Sequence, residues 1–234
     1  MRAAALLTLL LSILVPILGP VSTLAAEQEV PSEDALWASA GRAFAAGEDK
    51  SAAMAQYRLF VDTYGGSQRA ARAQYMVAES YFASGDFEGA LREYRKVDGK
   101  KGRDDVLEAA VLLRTAECHF NAGRFDEAIA TYEDLLDDFQ HSFLVAEALY
   151  QSGLAYIAEG NWLKLEGAYR ELLETRPGYA ERAQVKFALG LFAFHDGDLD
   201  RALGHFSQVP SDRGRLYWGR TLEEQGQYIL AIQR

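Results

Sequence analysis

The chain has 234 residues, 49% of them apolar and 25% charged, with a formal net charge of −10. That composition belongs to a folded globular or repeat protein and excludes a disordered chain. The acidic balance argues against a nucleic-acid partner, whose phosphates need a basic face, and against an anionic membrane surface.

Residues 1–26 stand apart, because Arg2 is their only charge. An apolar run from Ala3 to Leu18 follows, then Gly19-Pro20 and small residues ending at Ala25-Ala26. This is the layout of a secretory signal, with cleavage predicted after Ala25 or Ala26. The rival reading is an uncleaved membrane anchor. Pro16 and Pro20 interrupt the run and no basic cluster follows it, which favours cleavage. No cysteine lies near the cleavage site, so a lipid anchor is not expected. Losing Arg2 with the signal makes the mature net charge −11. No other stretch is long and apolar enough to span a bilayer. The mature chain is therefore expected in the periplasm, with no stable membrane span. Cys118, the only cysteine, cannot build an internal disulfide and reads as a small buried hydrophobe.

Residues 27–33 (EQEVPSE) read as a short polar linker, with Ser32 as a candidate N-cap. Beyond it the chain repeats itself from residue 34 to 234. A first, looser copy has Trp37, Ala40, Gly41 and Phe44, then Ala53, Tyr57 and Phe60 after Gly47. A turn signal of Gly-polar-aromatic or Gly-polar-Leu then recurs at Gly85, Gly123, Gly160, Gly197 and Gly226. Three residues after the aromatic or leucine comes Ala90, Ala128, Leu165, Ala202 or Ala231. Tyr94, Tyr132, Tyr169 or Phe206 lies four further on.

The best-formed copy runs from Ala146 to Pro177. Leu149, Gly153 and Tyr156 share one helix face, Gly160-Asn161 break it, and Leu165, Tyr169 and Leu172 share a face of the next helix. Each element has a physical role. The glycine ends the first helix in a conformation costly for other residues. The alanine permits close helix contact, and the ring four residues later fills the core. The small residue of each first helix (Gly41, Ala78, Ala116, Gly153, Gly190, Gly219) serves the same close contact, with Tyr156 filling the gap beside Gly153.

These spacings resemble the tetratricopeptide repeat (TPR) family, whose core reads W-x2-L-G-x2-Y…A-x3-F…P. The matches are Trp37-x2-Ala40-Gly41-x2-Phe44, Val77-Ala78-x2-Tyr81, Ala90-x3-Tyr94, Ala128-x3-Tyr132, Gly153-x2-Tyr156 and Ala202-x3-Phe206. Repeats begin near 34, 71, 109, 146, 183 and 212, so the spacing is 37 or 38 until the last interval of 29. The linkers YGGSQRA, DDFQHSFLV and RPGYAER are similar to connectors of bacterial envelope TPR proteins, such as the periplasmic component of the Tol–Pal system and the lipoprotein of the outer-membrane assembly machine. The last linker is shortened by Pro210. The resemblance implies an all-α, right-handed α-solenoid of about five and a half helix hairpins. The sixth repeat stops soon after Ala231 with no polar capping helix, so the natural chain is expected to continue.

No constellation for catalysis, cofactor or metal emerges. His119 reads as a helix-core slot, His141 lies in a linker, and His195 and His205 lie on different helices. There is no HExxH, paired cysteine, phosphate loop or nucleophile elbow. The run Glu133-Asp134…Asp137-Asp138 reads as a solvated helix face. In the family, positions 5, 9 and 12 of each first helix point into a concave groove. Here they hold Tyr75, Glu79 and Phe82; Leu113, Glu117 and Phe120; Tyr150, Leu154 and Ile157; and Phe187, Leu191 and Phe194. The pattern predicts an apolar, aromatic stripe that is partly exposed, with position 12 the most covered by neighbours. Tyr150 and Ile157 are expected mid-groove. Position 5 carries no lysine, which argues against a carboxylate clamp and for an apolar or helical peptide.

The expected function is a non-enzymatic periplasmic scaffold that mediates protein-protein interaction in the cell envelope. The alternative is the N-terminal recognition arm of a larger envelope enzyme whose catalytic domain lies beyond Arg234. A third reading makes the uncapped end a self-association surface.

Overall fold

The computed structural model describes residues 30–46, 50–97, 104–227 and 231. The signal segment, Gly47, Tyr228 and the last three residues lie outside the described residues. Among the described residues there are eleven α-helices, one 3-10 helix and no strand. The helices are α1 (Glu33–Ala46), α2 (Lys50–Tyr64), α3 (Ala70–Ala83), α4 (Phe87–Tyr94), α5 (Asp105–Asn121), α6 (Phe125–Asp138), α7 (Val145–Glu159), α8 (Trp162–Thr175), α9 (Ala183–Asp196), α10 (Leu199–Phe206) and α11 (Asp212–Glu224). The 3-10 helix, Pro177–Glu181, joins α8 to α9. Each helix packs against its neighbours in sequence, and the first helices α3, α5, α7 and α9 also touch one another in succession. The result is an α-solenoid of TPR-like hairpins.

The hairpin turn is one device used five times. Gly85, Gly123, Gly160, Gly197 and Gly226 all have φ between 71° and 82°, in the left-handed region. The residue after each glycine sends its backbone N–H five residues back, as in Asp86 to the Tyr81 carbonyl (3.1 Å) and Asn161 to Tyr156 (2.8 Å). The glycine N–H bonds the carbonyl three residues before it, which completes a Schellman motif. In three of the turns the side chain of that same residue then caps the next helix, whereas Arg124 makes no such bond. Asp86 accepts from the Gly89 N–H, Asn161 from Lys164 and Asp198 from Arg201. The polar residue between glycine and aromatic thus joins two caps, a role the sequence reading left unassigned. Ser32 caps α1 through the Ala35 N–H at 3.3 Å.

The linkers between hairpins share a second device. Ser67 and Ser142 each close a turn onto a ring residue three positions back, Tyr64 or Phe139. Their hydroxyls accept from the Arg69 and Leu144 N–H groups. Ser211, after Pro210, caps α11 directly by accepting from Gly214 at 3.1 Å.

The core is a row of alanines and rings. Ala90, Ala128, Leu165 and Ala202 are buried, and so are Tyr94, Tyr132, Tyr169 and Phe206. The small residues of the first helices divide into two kinds. A Cβ on Gly153 would lie 1.9 Å from Tyr169 Cε1, and one on Gly190 would lie 2.6 Å from Phe206 Cε1. The residue that fills the space at Gly153 is therefore Tyr169, not Tyr156. Tyr156 instead sends its hydroxyl to Glu133 of α6 at 3.0 Å. Gly41 has nothing within 4 Å of the same position, and Gly219 has only a carbonyl oxygen at 4.0 Å. These two do not perform the close-contact role the repeat pattern assigned to them.

Gly153→Ala is expected to destabilise the protein by about 1–3 kcal/mol through overpacking. Gly41→Ala should stabilise it by about 1 kcal/mol through helix propensity alone. Urea titrations of both variants check the pair, and equal effects would refute the distinction.

Candidate functional site

The first helices present their positions 5, 9 and 12 along one side of the solenoid. Among the twelve residues none is fully exposed. Position 5 is the most covered. Leu113 is buried, and Tyr150 and Phe187 are each 8% exposed. Tyr75 is half-buried. The cause is the ring of the second helix, which draws the position-5 side chain inward. Tyr75 lies 5.6 Å from Tyr94, Phe187 lies 5.6 Å from Phe206, and Tyr150 stacks on Tyr169 at 6.4 Å. The expected order of coverage along the stripe is corrected accordingly. Tyr150 is core, and position 12 is not the most covered. Leu191 is also buried.

Glu79, Phe82, Glu117, Phe120, Leu154, Ile157 and Phe194 remain half-buried and accessible. Phe82 and Phe120 pack edge-on against Phe87 and Phe125, the aromatics that follow the turn glycines.

What the face offers instead is a polar ladder. Arg114 of α5 sits between Glu79 of α3 (Nε to Oε1, 3.1 Å) and Glu117 on its own helix (Nη1 to Oε2, 2.6 Å), with its guanidinium 4.9 Å from the centre of the Phe82 ring. Glu147 of α7 accepts from Gln151 (2.9 Å) and from the Tyr179 hydroxyl (3.1 Å). Arg182 stands 3.7 Å from Glu147 and lies over the Tyr179 ring at 3.8 Å. Burial pushes the Glu117 carboxyl above the usual range; Arg114 opposes this, while Glu147 and Glu79 add to it. Burial, then Glu79, pushes the Tyr75 phenol up to about 12.

Beneath the ladder the second-helix rings follow the residue at position 9. Where that residue is Glu79, the Tyr94 hydroxyl donates to it. Where it is Leu154, the Tyr169 hydroxyl turns to the Tyr150 carbonyl at 3.2 Å. Where it is Leu191, the ring is Phe206 and carries no hydroxyl. Tyr132 breaks the series. Its hydroxyl is buried and, among the described residues, has no hydrogen-bond partner. Glu117, the counterpart of Glu79, is held by Arg114 instead. Sequence reasoning named Glu79 and Glu117 but missed Arg114, Tyr132, Glu147, Tyr179 and Arg182. The signal was there, in a glutamate at position 9 paired with a tyrosine on the second helix in two successive repeats.

The other polar groups are scattered. His119 is half-buried and not a core slot; its Nδ1 accepts from Arg124 Nε at 3.0 Å. His195 stacks on Trp162 with ring centres 4.4 Å apart. Asp134, Asp137 and Asp138 are exposed. Among the described residues no group of His, Cys, Asp or Glu is placed to hold a metal. Cys118 is buried, and burial pushes its thiol up to about 12. A recess of about 870 Å³ lies away from this face, at the linker edge between α2 and α5. Its cations Arg69, Arg72 and Lys96 are paired with Asp34, Asp104 and Glu93.

The profile of the tetratricopeptide repeat-like domain matches residues 27–189. The chain belongs to this family. Three solved structures illustrate the shared TPR fold. A TPR protein from Parabacteroides merdae ATCC 43184 is 17% identical, with 86% of this chain and 76% of that one covered and a TM-score of 0.67. PilF of Pseudomonas aeruginosa is 15% identical, with 86% and 87% covered and a TM-score of 0.64. MamA is 20% identical, with 71% and 88% covered and a TM-score of 0.58. At these identities the likeness concerns the TPR fold alone. No curated protein matches the chain. No helix among the described residues of this TPR chain is long and apolar enough to cross a membrane.

Tyr132→Phe is expected to raise stability by about 1 kcal/mol, because it removes a buried hydroxyl that has no partner. Tyr94→Phe should lower it by a similar amount, because it takes a donor from Glu79. Urea unfolding of the two variants measures the difference in sign.

Proposed function

We propose that the chain is an exported, non-enzymatic TPR scaffold of the cell envelope that binds protein segments along the face formed by α3, α5, α7 and α9. The observation that carries this reading is the succession of first helices in contact, which leaves half-buried side chains of both kinds in one row: Glu79, Phe82, Glu117, Phe120, Leu154 and Ile157. Side chains already half ordered by packing lose little entropy when a partner covers them. Rings and a guanidinium are the groups that most often dominate such interfaces. Export is supported by Arg2, the apolar run that follows and the small residues ending at Ala26. The likeness of the linkers to envelope TPR proteins supports the same compartment.

Two measurements test this. Deleting residues 2–26 should retain the protein in the cytoplasm, whereas the full chain should reach the periplasm with an N-terminus at or next to Ala26. A photo-crosslinking amino acid at Leu154 or Ile157 should yield protein adducts in envelope extract. The same group at Leu163, which is 78% exposed on a second helix, should not. Adducts from Leu163 alone, or from neither helix, would refute the binding face.

A further inference from the structure

The charges of the first helices change sign at α11. Position 9 is Glu79 on α3 and Glu117 on α5, and position 2 of α7 is Glu147. On α11 the same two positions hold Arg220 and Arg213. Seven residues separate them, so they share one helix face and lie about 10 Å apart along its axis. Both are exposed, and neither is in an ion pair among the described residues. Asp212 on the same helix is held by Arg215, and Glu223 and Glu224 at its end form no ion pair with Arg220. Rings support the two guanidiniums instead. Arg213 lies 4.5 Å from the centre of the Phe187 ring of α9, and Arg220 lies 5.5 Å from that of Tyr217. Those two rings meet edge to face at 5.3 Å, and Phe206 stands 5.6 Å from each. A guanidinium over a ring keeps its in-plane N–H groups available to an acceptor. Between the arginines, on the same face, Leu216 is 59% exposed and Tyr217 is half-buried.

We propose that α11 docks an acidic segment of a partner protein, in which two side-chain carboxylates about two helical turns apart flank an apolar residue. The proposal rests on the reading of the first-helix row as a protein-binding surface and names the chemistry selected at its α11 end. Each carboxylate meets the N–H edge of one arginine, a charge-assisted contact that Arg114 already makes with Glu79 and Glu117 further along the row. The apolar residue covers Leu216 and the exposed part of Tyr217. The arginines are already seated on rings, so less side-chain freedom is lost when they are covered. The chain carries a net charge of −10, which repels an acidic segment from the rest of its surface. Such a segment settles where cations lack a partner, and a basic segment is rejected there by like charge. Position 5 of α11 is Leu216 and not lysine, which matches an apolar side chain between two acids better than a single terminal carboxylate.

The test uses the exported protein after signal removal and fluorescein-labelled, alanine-rich helical peptides read by anisotropy. One carries two glutamates seven positions apart with leucine between them; its counterparts carry glutamines or lysines instead. The glutamate peptide should bind saturably, and the glutamine peptide about tenfold more weakly or worse. Arg213→Gln and Arg220→Gln should each weaken binding about fivefold, the value of one hydrogen bond. Arg215→Gln, off this face and paired with Asp212, should leave it unchanged. The Arg213→Glu/Arg220→Glu variant should lose the glutamate peptide and take the lysine peptide, an exchange of preference that a misfolded chain cannot show. Equal binding of the glutamate and glutamine peptides, unchanged affinity in the Arg213→Gln/Arg220→Gln double variant, or a reversed variant that does not prefer lysine would overturn the proposal. Cross-linking at Leu154 and Ile157 separates this idea from the scaffold reading. Adducts from those positions together with no charge preference among the peptides overturn the α11 site and leave the scaffold standing. Charge-selective peptide binding without any adduct supports the α11 site and refutes the longer binding face.

Discussion

In two of the hairpins a ring lies against a residue that has no Cβ. Tyr169 lies on Gly153 and Phe206 on Gly190, at distances a methyl group could not share. Everything else in those hairpins follows from that contact. The first and second helices come close enough for the opposing slots to be filled by buried Ala202 in one hairpin and Leu165 in the other. The ring then stands where position 5 of the first helix must meet it, so Tyr150 and Phe187 fold inward. The side chains left on the outside of the first helices, at positions 9 and 12, become the inner face of the solenoid.

The turns make this packing reproducible. A left-handed glycine is followed by one residue that makes the backbone bond across the turn and, in three of the turns, caps the next helix, leaving the chain little freedom between the helices. The aromatic that begins the next helix packs against position 12 of the helix before it, as Phe87 does on Phe82. Apolar burial thus supplies the stability of each hairpin. The polar contacts between repeats are individually small. Arg58 donates to Tyr81 at 2.6 Å, and Lys164 and Tyr156 meet at Glu133. Their contribution is register, since each ties one repeat to the next at a fixed height.

The polar ladder on the inner face has a different character. Its charges are drawn from α3, α5, α7 and the linker before α9, and packing holds several of them partly out of water. A half-buried ion pair gains little net stability because desolvation offsets attraction. The same burial makes such groups selective, since a partner must supply the charge and hydrogen bonds that water no longer does. In a repeat protein this couples recognition to stacking, because a side chain from one repeat is completed by a side chain from the next.

The architecture was readable in the chain because it depends on local features that recur. Glycine after each first helix, alanine and ring at fixed offsets, and a polar residue between glycine and aromatic each act within a few positions of themselves. Periodicity therefore carried the hairpins and the TPR-like solenoid. It could not tell a glycine that makes room for a ring from one that faces open space, as Gly153 and Gly41 do, because that depends on the partner helix. Nor could it place Arg114 against Glu79, or Tyr179 and Arg182 against Glu147, because those contacts cross repeats some 30 residues apart. Tyr132 shows the limit most sharply. Its position in the repeat is the same as that of Tyr94, yet its hydroxyl is stranded. In this repeat Glu117 is bound by Arg114, and only the stacking of successive helices also brings Arg114 to Glu79. Sequence determined which helices form and how each pair closes; the tertiary structure decided which of their side chains remain free to meet a partner, because that depends on what the neighbouring repeat covers.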